Sequence, residues 1–216
     1  MGAVDLEPGT SYFERSFGLT GGVACGKSTV AGYFRELGAY IIDADRVGHQ
    51  LIQPGQPAYQ KIIESFGKDI LAPGGAIDRK LLGRVVFAHA ERLRLLNAIL
   101  HPRIVVCMHE MAAEQRRHYP QTVVIVDAAL IFEVGLAGAL RKVMVAWCRP
   151  EQQIERLMAK LGISSQEAEQ RIRTQMPLEE KRRRADYLID CSGTLEHSRT
   201  QVHAIYPELE SLSKDG

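Results

Sequence analysis

Apolar positions along the chain fall into two rhythms. Short runs rich in β-branched residues predict strands at Ser16-Phe17-Gly18-Leu19-Thr20, Ala39-Tyr40-Ile41-Ile42, Thr122-Val123-Val124-Ile125-Val126, Lys142-Val143-Met144-Val145-Ala146 and, more weakly, Tyr187-Leu188-Ile189. The third and fourth are apolar without alternation, the pattern of strands buried on both faces of a parallel sheet. Helical spacing fills the intervals. Val30, Ala31, Tyr33, Phe34 and Leu37 predict a helix over 28–37, stopped by Gly38. Roughly eighty residues after Asp45 are mainly helical in pattern, punctuated by Pro54-Gly55 and Pro73-Gly74-Gly75, with a long helical stretch ending at His101-Pro102. Helices over 150–161 and 165–175 follow, the second opened by the capping box Ser164-Ser165-Gln166-Glu167. Strands alternating with helices imply an α/β layered fold with crossover connections. Residues 1–14 read as a polar extension, and the chain has no internal repeat.

The 216 residues suit one compact domain, and 45% hydrophobic with 25% charged residues excludes disorder and fibrous repeats. Lys plus Arg (27) nearly cancels Asp plus Glu (26), so no global field favours nucleic acid or an anionic membrane, and any phosphate binding must be local. Cys25, Cys107, Cys148 and Cys191 form no C-x-x-C pair, which argues against a zinc ribbon or a disulfide framework and suggests a reducing compartment. Met1 to Ser11 lacks the basic and apolar runs of a targeting signal, and the stretch Val123 to Phe132, broken by Asp127, is too short for a bilayer. The expectation is a soluble, cytoplasmic protein.

Gly21-Gly22-Val23-Ala24-Cys25-Gly26-Lys27-Ser28 satisfies G-x-x-x-x-G-K-[ST], between a predicted strand and a predicted helix. The glycines let successive N–H groups turn inward as an anion nest, and the helix adds the positive end of its dipole. Gly22 through Thr29 would hold ATP, with Lys27 reaching the β and γ phosphates and the Ser28 hydroxyl holding Mg²⁺. Cys25 sits in this field, where either a lowered thiol pKa or an inert small residue is consistent with its position.

Asp43 and Asp45 lie just past the second strand, at the end of an open α/β sheet where ligands bind. One could take a proton from an acceptor hydroxyl and one could cap the next helix, and spacing does not separate these roles. Asp127 ends a β-branched run in the manner of a Walker B carboxylate, a second candidate for Mg²⁺ beside a purely structural role.

With these residues in place, the chain resembles the dephospho-CoA kinase family. The likeness runs from Phe17 to about Thr194 through Leu19-Thr20-Gly21-Gly22, Gly26-Lys27-Ser28-Thr29, Ile42-Asp43-Ala44-Asp45, Leu100-His101-Pro102, Asp127, Leu130-Ile131-Phe132-Glu133, the block Gln175 to Arg182, and Ala185 to Asp190. The resemblance implies a three-layer α/β/α P-loop kinase core with a parallel sheet in a single domain over 15–214, a helical substrate-binding region over about 46–118 and a lid over about 150–185. It implies ATP-dependent phosphorylation of the ribose 3′-hydroxyl of dephospho-CoA, with ATP as donor and no obligatory protein partner. Asp45 matches the family's general base, Asp43 and His101 fall near the acceptor, and Arg156 falls in the lid. Ala129 replaces a usual proline, Cys25 a small residue such as serine, and Lys160-Leu161 a common Arg-Asp.

Other readings are set by the same residues. His101 before a proline is also an ordinary helix-end residue. Arg156 and Lys160 share one helix face, opposite Ile154, Leu157, Met158 and Leu161, which by pattern alone is a solvated face. Lys181-Arg182-Arg183-Arg184 adjoins Glu179-Glu180 without interleaved aromatics and reads as a mostly solvated helix face rather than a nucleic-acid site. His109-Glu110 lacks a second histidine, so protein-bound zinc is not expected. Another P-loop kinase, for a nucleoside or its monophosphate, is disfavoured by Asp43-Ala44-Asp45 with Leu100-His101-Pro102, and a guanine switch by the lack of N-K-x-D.

Overall fold

The computed structural model describes residues 13–87 and 89–214. The chain runs β1 (Phe13–Gly21), α1 (Lys27–Glu36), β2 (Tyr40–Asp43), α2 (Ala44–Leu51), α3 (Pro57–Phe66), α4 (Arg79–Phe87), α5 (Ala90–His118), β3 (Val124–Asp127), β4 (Leu140–Trp147), α6 (Pro150–Leu161), α7 (Ser165–Ile172), α8 (Leu178–Arg184), β5 (Tyr187–Asp190) and α9 (Leu195–Lys214). The strands form one parallel sheet in the order β2-β3-β1-β4-β5. The chain leaves β1 towards one side of the sheet and, after β3, crosses to the other, so the carboxyl end of β1 lies at a topological switch point, where such sheets bind ligands.

The apolar residues Val124, Ile125 and Val126 of β3 are buried, as a strand covered on both faces requires, and Asp127 at its end is buried too. Their alternation feeds two cores. Ile125 joins Phe17, Leu19, Val30, Phe34, Met144 and Val202 beneath α1 and α9. Val124 and Val126 join Phe13, Ile42, Val105, Met108 and Val143 beneath α2 and α5. The expected three-layer α/β/α architecture is therefore present. A third core, with Ile52, Ile62, Ile70, Leu82, Val86 and Ile99, packs α3, α4 and α5 into a helical outgrowth. Close strand approach sets one glycine: a Cβ on Gly21 would lie 2.5 Å from the Ala146 carbonyl oxygen.

Three boundaries differ from expectation. Positions 1–12 of the expected polar extension lie outside the described residues, but Phe13 and Glu14 belong to β1, with Phe13 fully buried. The helix expected to stop at His101-Pro102 continues through them as part of α5. Proline removes one N–H from the ladder there, and the Arg103 guanidinium donates to the Ile99 carbonyl at 2.5 Å, supplying a nearby backbone oxygen with a side-chain donor. The helix expected over 165–175 ends at Ile172, freeing Gln175. Its capping box is formed as read: Glu167 N–H donates to Ser164 Oγ at 3.3 Å, and Ser164 N–H to Glu167 Oε2 at 2.9 Å.

Candidate active site

The turn from β1 into α1 is built on two left-handed residues, Ala24 (φ 61°) and Gly26 (φ 95°). For alanine this conformation is strained, at roughly 1–3 kcal/mol, and it persists because neighbours hold the loop. Val23 is gripped at both polar atoms: its N–H donates to Gln175 Oε1 at 3.0 Å, and its carbonyl accepts from Gln153 Nε2 at 2.9 Å. Gln153 lies so close that a Cβ on Gly22 would sit 2.5 Å from its Nε2. Gly26 is the N-cap of α1 and no side chain caps that helix, which leaves its first turn suited to an anion.

This loop forms one wall of a cleft of about 810 Å³. Gly22, Val23, Ala24, Gly26, Lys27, Ser28 and Thr29 line it, and Asp45, Arg156 and Lys160 face it from α2 and α6. Lys27 is ion-paired with Asp127. Burial pushes the Asp127 carboxyl above its ordinary value; the Lys27 charge and hydrogen bond oppose this, and the charges of Asp43 and Asp45 add to it. Arg156 donates to the Cys191 carbonyl at 2.9 Å, so α6 is tied to the loop after β5.

The two aspartates after β2 occupy different positions. Asp43 is the N-cap of α2, accepting from Arg46 N–H at 3.0 Å, whereas Asp45 stands in the first turn and lines the cleft. Among the described residues lining this cleft, Asp43, His101, Cys25 and Asp127 are absent. His101 lies mid-helix in α5, where burial lowers its imidazole from the ordinary value. Cys25 is fully buried, its Sγ 3.2 Å from that of Cys148, and the hydrogen bond with Cys148 together with burial pushes its thiol up. The lowered thiol pKa that the anion nest could have given Cys25 is thus replaced by a raised one, because the side chain is buried against Cys148.

The far wall, Cys191, Gly193, Thr194, Leu195 and Ser198, carries no sequence motif. Its only signal is position, at the carboxyl end of β5.

A sequence model of the dephospho-CoA kinase family matches residues 15–197. The dephospho-CoA kinase of Carboxydothermus hydrogenoformans is 45% identical over 188 residues, covering 87% of this chain and 91% of that one. That of Bacillus licheniformis is 42% identical over 197 residues, covering 91% and 98%. The solved dephospho-CoA kinase from Campylobacter jejuni superposes with a TM-score of 0.69 at 29% identity, covering 91% of this chain and 98% of that one. Match, coverage and shared architecture agree along nearly the whole length, and the chain belongs to the dephospho-CoA kinase family.

Proposed function

We infer that this protein transfers the γ-phosphoryl group of ATP to the ribose 3′-hydroxyl of dephospho-CoA, giving coenzyme A and ADP. The observation that carries the reading is one cleft in which the phosphate loop, Asp45 and Arg156 face each other. The N–H groups of the loop and the Lys27 ammonium receive the triphosphate and stabilise charge that builds during transfer. Asp45, exposed in the cleft, orients the acceptor hydroxyl and takes its proton. Arg156, on α6, neutralises the equatorial oxygens of the transferring group as the lid segment 150–185 closes and excludes water. The helical outgrowth around 46–118 receives the acceptor, with Asp43 and His101 shaping its approach.

The protein oxygens fit Mg²⁺. Ser28 lines the cleft, and Asp127, ion-paired with Lys27, lies in register with Asp43 at the same end of the sheet. Mg²⁺ in such sites is held chiefly through nucleotide phosphates and one or two protein oxygens. Ser28 directly and Asp127 directly or through water would hold it, and when bound it neutralises charge on the β and γ phosphates.

No helix among the described residues is long and apolar enough to cross a membrane. The reading places the reaction in the cytoplasm, with small molecules as its partners. Its test is ADP release with and without dephospho-CoA, and with a panel of nucleosides and their monophosphates. Release that requires dephospho-CoA and yields coenzyme A supports it; release indifferent to the acceptor, or faster with another acceptor, overturns it.

A further inference from the structure

Beneath the cleft lies a buried polar cluster that the reaction as described does not use. Lys181 of α8 has no exposed side-chain surface and Glu133 only 7%. The Lys181 ammonium donates to the Ala129 carbonyl at 2.6 Å and lies 2.8 Å from Glu133 Oε1. Each acceptor serves a second donor: Ala129 O takes the Thr20 hydroxyl at 3.0 Å, and Glu133 Oε1 takes the Met176 N–H at 2.9 Å. Glu133 Oε2 is buried with no hydrogen-bond partner among the described residues. Two oxygens thus join four segments: the end of β1, the loop after β3, the turn before α8, and α8 itself.

Such a pair is a poor device for stability alone. Desolvating each ion costs several kcal/mol, and an apolar pair of similar size often serves as well. What the cluster provides is a fixed relation between segments that touch the phosphate loop. Asp127, two residues before Ala129, holds Lys27, while Gln175, next to Met176, holds the Val23 N–H. We propose that Glu133 and Lys181 are positioning residues for phosphoryl transfer, setting the Asp127–Ala129 segment and the Gln175–Met176 turn so that Lys27 and Val23 face the phosphates. The proposal rests on the kinase reading above.

The experiment compares the double variant Glu133→Leu/Lys181→Met with Lys181→Met alone and with Thr20→Val, by thermal melting and by acceptor-dependent ADP release. The double variant removes both charges, so it melts above Lys181→Met, which strands a buried carboxylate. Its kcat nevertheless falls about 10- to 100-fold, as small displacements of reacting groups do, while KM for each substrate stays within about threefold. Thr20→Val keeps the ion pair and the side-chain volume but withdraws one donor from Ala129 O. It gives the same split on a smaller scale, with kcat about threefold lower and both KM values unchanged. Full kcat in a folded double variant, or a loss confined to KM, overturns the proposal. If the double variant does not fold, Thr20→Val decides alone: lowered kcat at unchanged KM supports the proposal and wild-type kinetics refutes it. A wild-type enzyme that releases ADP without dephospho-CoA would instead overturn the functional reading, so the two failures are distinguishable.

Discussion

Replacing Lys27 with methionine strips the cation from a carboxylate that barely meets water, with Asp127 only 9% exposed. Burial already raises that carboxyl, Lys27 is the group that holds it down, and Asp43 and Asp45 push it up. Without Lys27 the remaining influences all act upward. Stranding one member of a buried pair costs about 3–5 kcal/mol, and because the 18% exposure of Lys27 lets some water reach the pair, about 3 kcal/mol is expected at pH 8. For a chain of this size that is about 6–12 °C in Tm. The sign of the pH dependence follows from proton linkage. A carboxyl with a folded pKa above its unfolded value of about 3.9 binds more protons when folded, so its penalty is absent in acid and grows as pH rises toward the folded pKa. The deficit relative to wild type should therefore widen from pH 5 to pH 8, measured by circular-dichroism melts in matched ionic strength. Lys27→Met/Asp127→Asn should recover most of the lost Tm at pH 8. Turnover should fall roughly 10²- to 10³-fold in both variants, since the cation that stabilises the transferring group is gone in each. A deficit that stays constant with pH, or that Asp127→Asn leaves untouched, would refute the buried-charge argument. Near-normal turnover in a folded Lys27→Met protein would remove the phosphate-loop assignment.

Asp45→Asn keeps the shape but cannot take a proton, so kcat should fall about 10²- to 10⁴-fold with little change in KM for ATP. Asp43→Ala should instead lose a helix cap, about 1 kcal/mol by melting, with the smaller effect on turnover, and the opposite ranking would make Asp43 the base. Arg156→Ala should lower kcat more than it weakens binding of either substrate, with a further drop in Arg156→Ala/Lys160→Ala, and unchanged kcat in both returns these residues to a solvated face. Cys25 in the native protein should alkylate far more slowly than an unfolded control at pH 8, with or without Mg-ATP, because the thiol is buried and its pKa raised. Fast labelling that ATP suppresses would show a thiol facing the nucleotide.

Local chemistry explains which features could be read from sequence. The phosphate loop, the capping box at Ser164 and the buried strands β3 and β4 each declare themselves within a few residues. Phe13 did not, because Glu14 and Arg15 beside it look solvated. In the fold the Arg15 guanidinium donates to the Ser213 carbonyl, so a charge that looked like surface is spent on tertiary structure. Pro102 misled in the same way: packing of Ile99 and Val105 on either side carries α5 across it, against the local preference for a break. The run of four basic residues reads as a mostly solvated face, and Arg182, Arg183 and Arg184 do stay outside, but Lys181 is fully buried. Its partner Glu133 is nearly fifty residues away, and no spacing rule spans that distance. The same limit hid the wall from Cys191 to Ser198.

The central place of β1 also governs the order in which the molecule can assemble. Among the described strands it is made first, yet its neighbours β3 and β4 follow more than a hundred residues later, and pairings so distant in sequence form slowly. Until then Phe13, Phe17 and Leu19, all fully buried in the fold, wait without partners, the kind of exposure that recruits chaperones or ends in aggregation. The phosphate loop waits longer, since the glutamines that grip Val23 come from positions 153 and 175. The final seal comes from α9, where Ser213 receives Arg15. A nascent chain stalled before β4 carries the complete nucleotide motif but lacks the strand and side chains that shape it. In ribosome-bound chains of increasing length, retention on immobilised ATP should therefore appear only after residue 175 has cleared the exit tunnel.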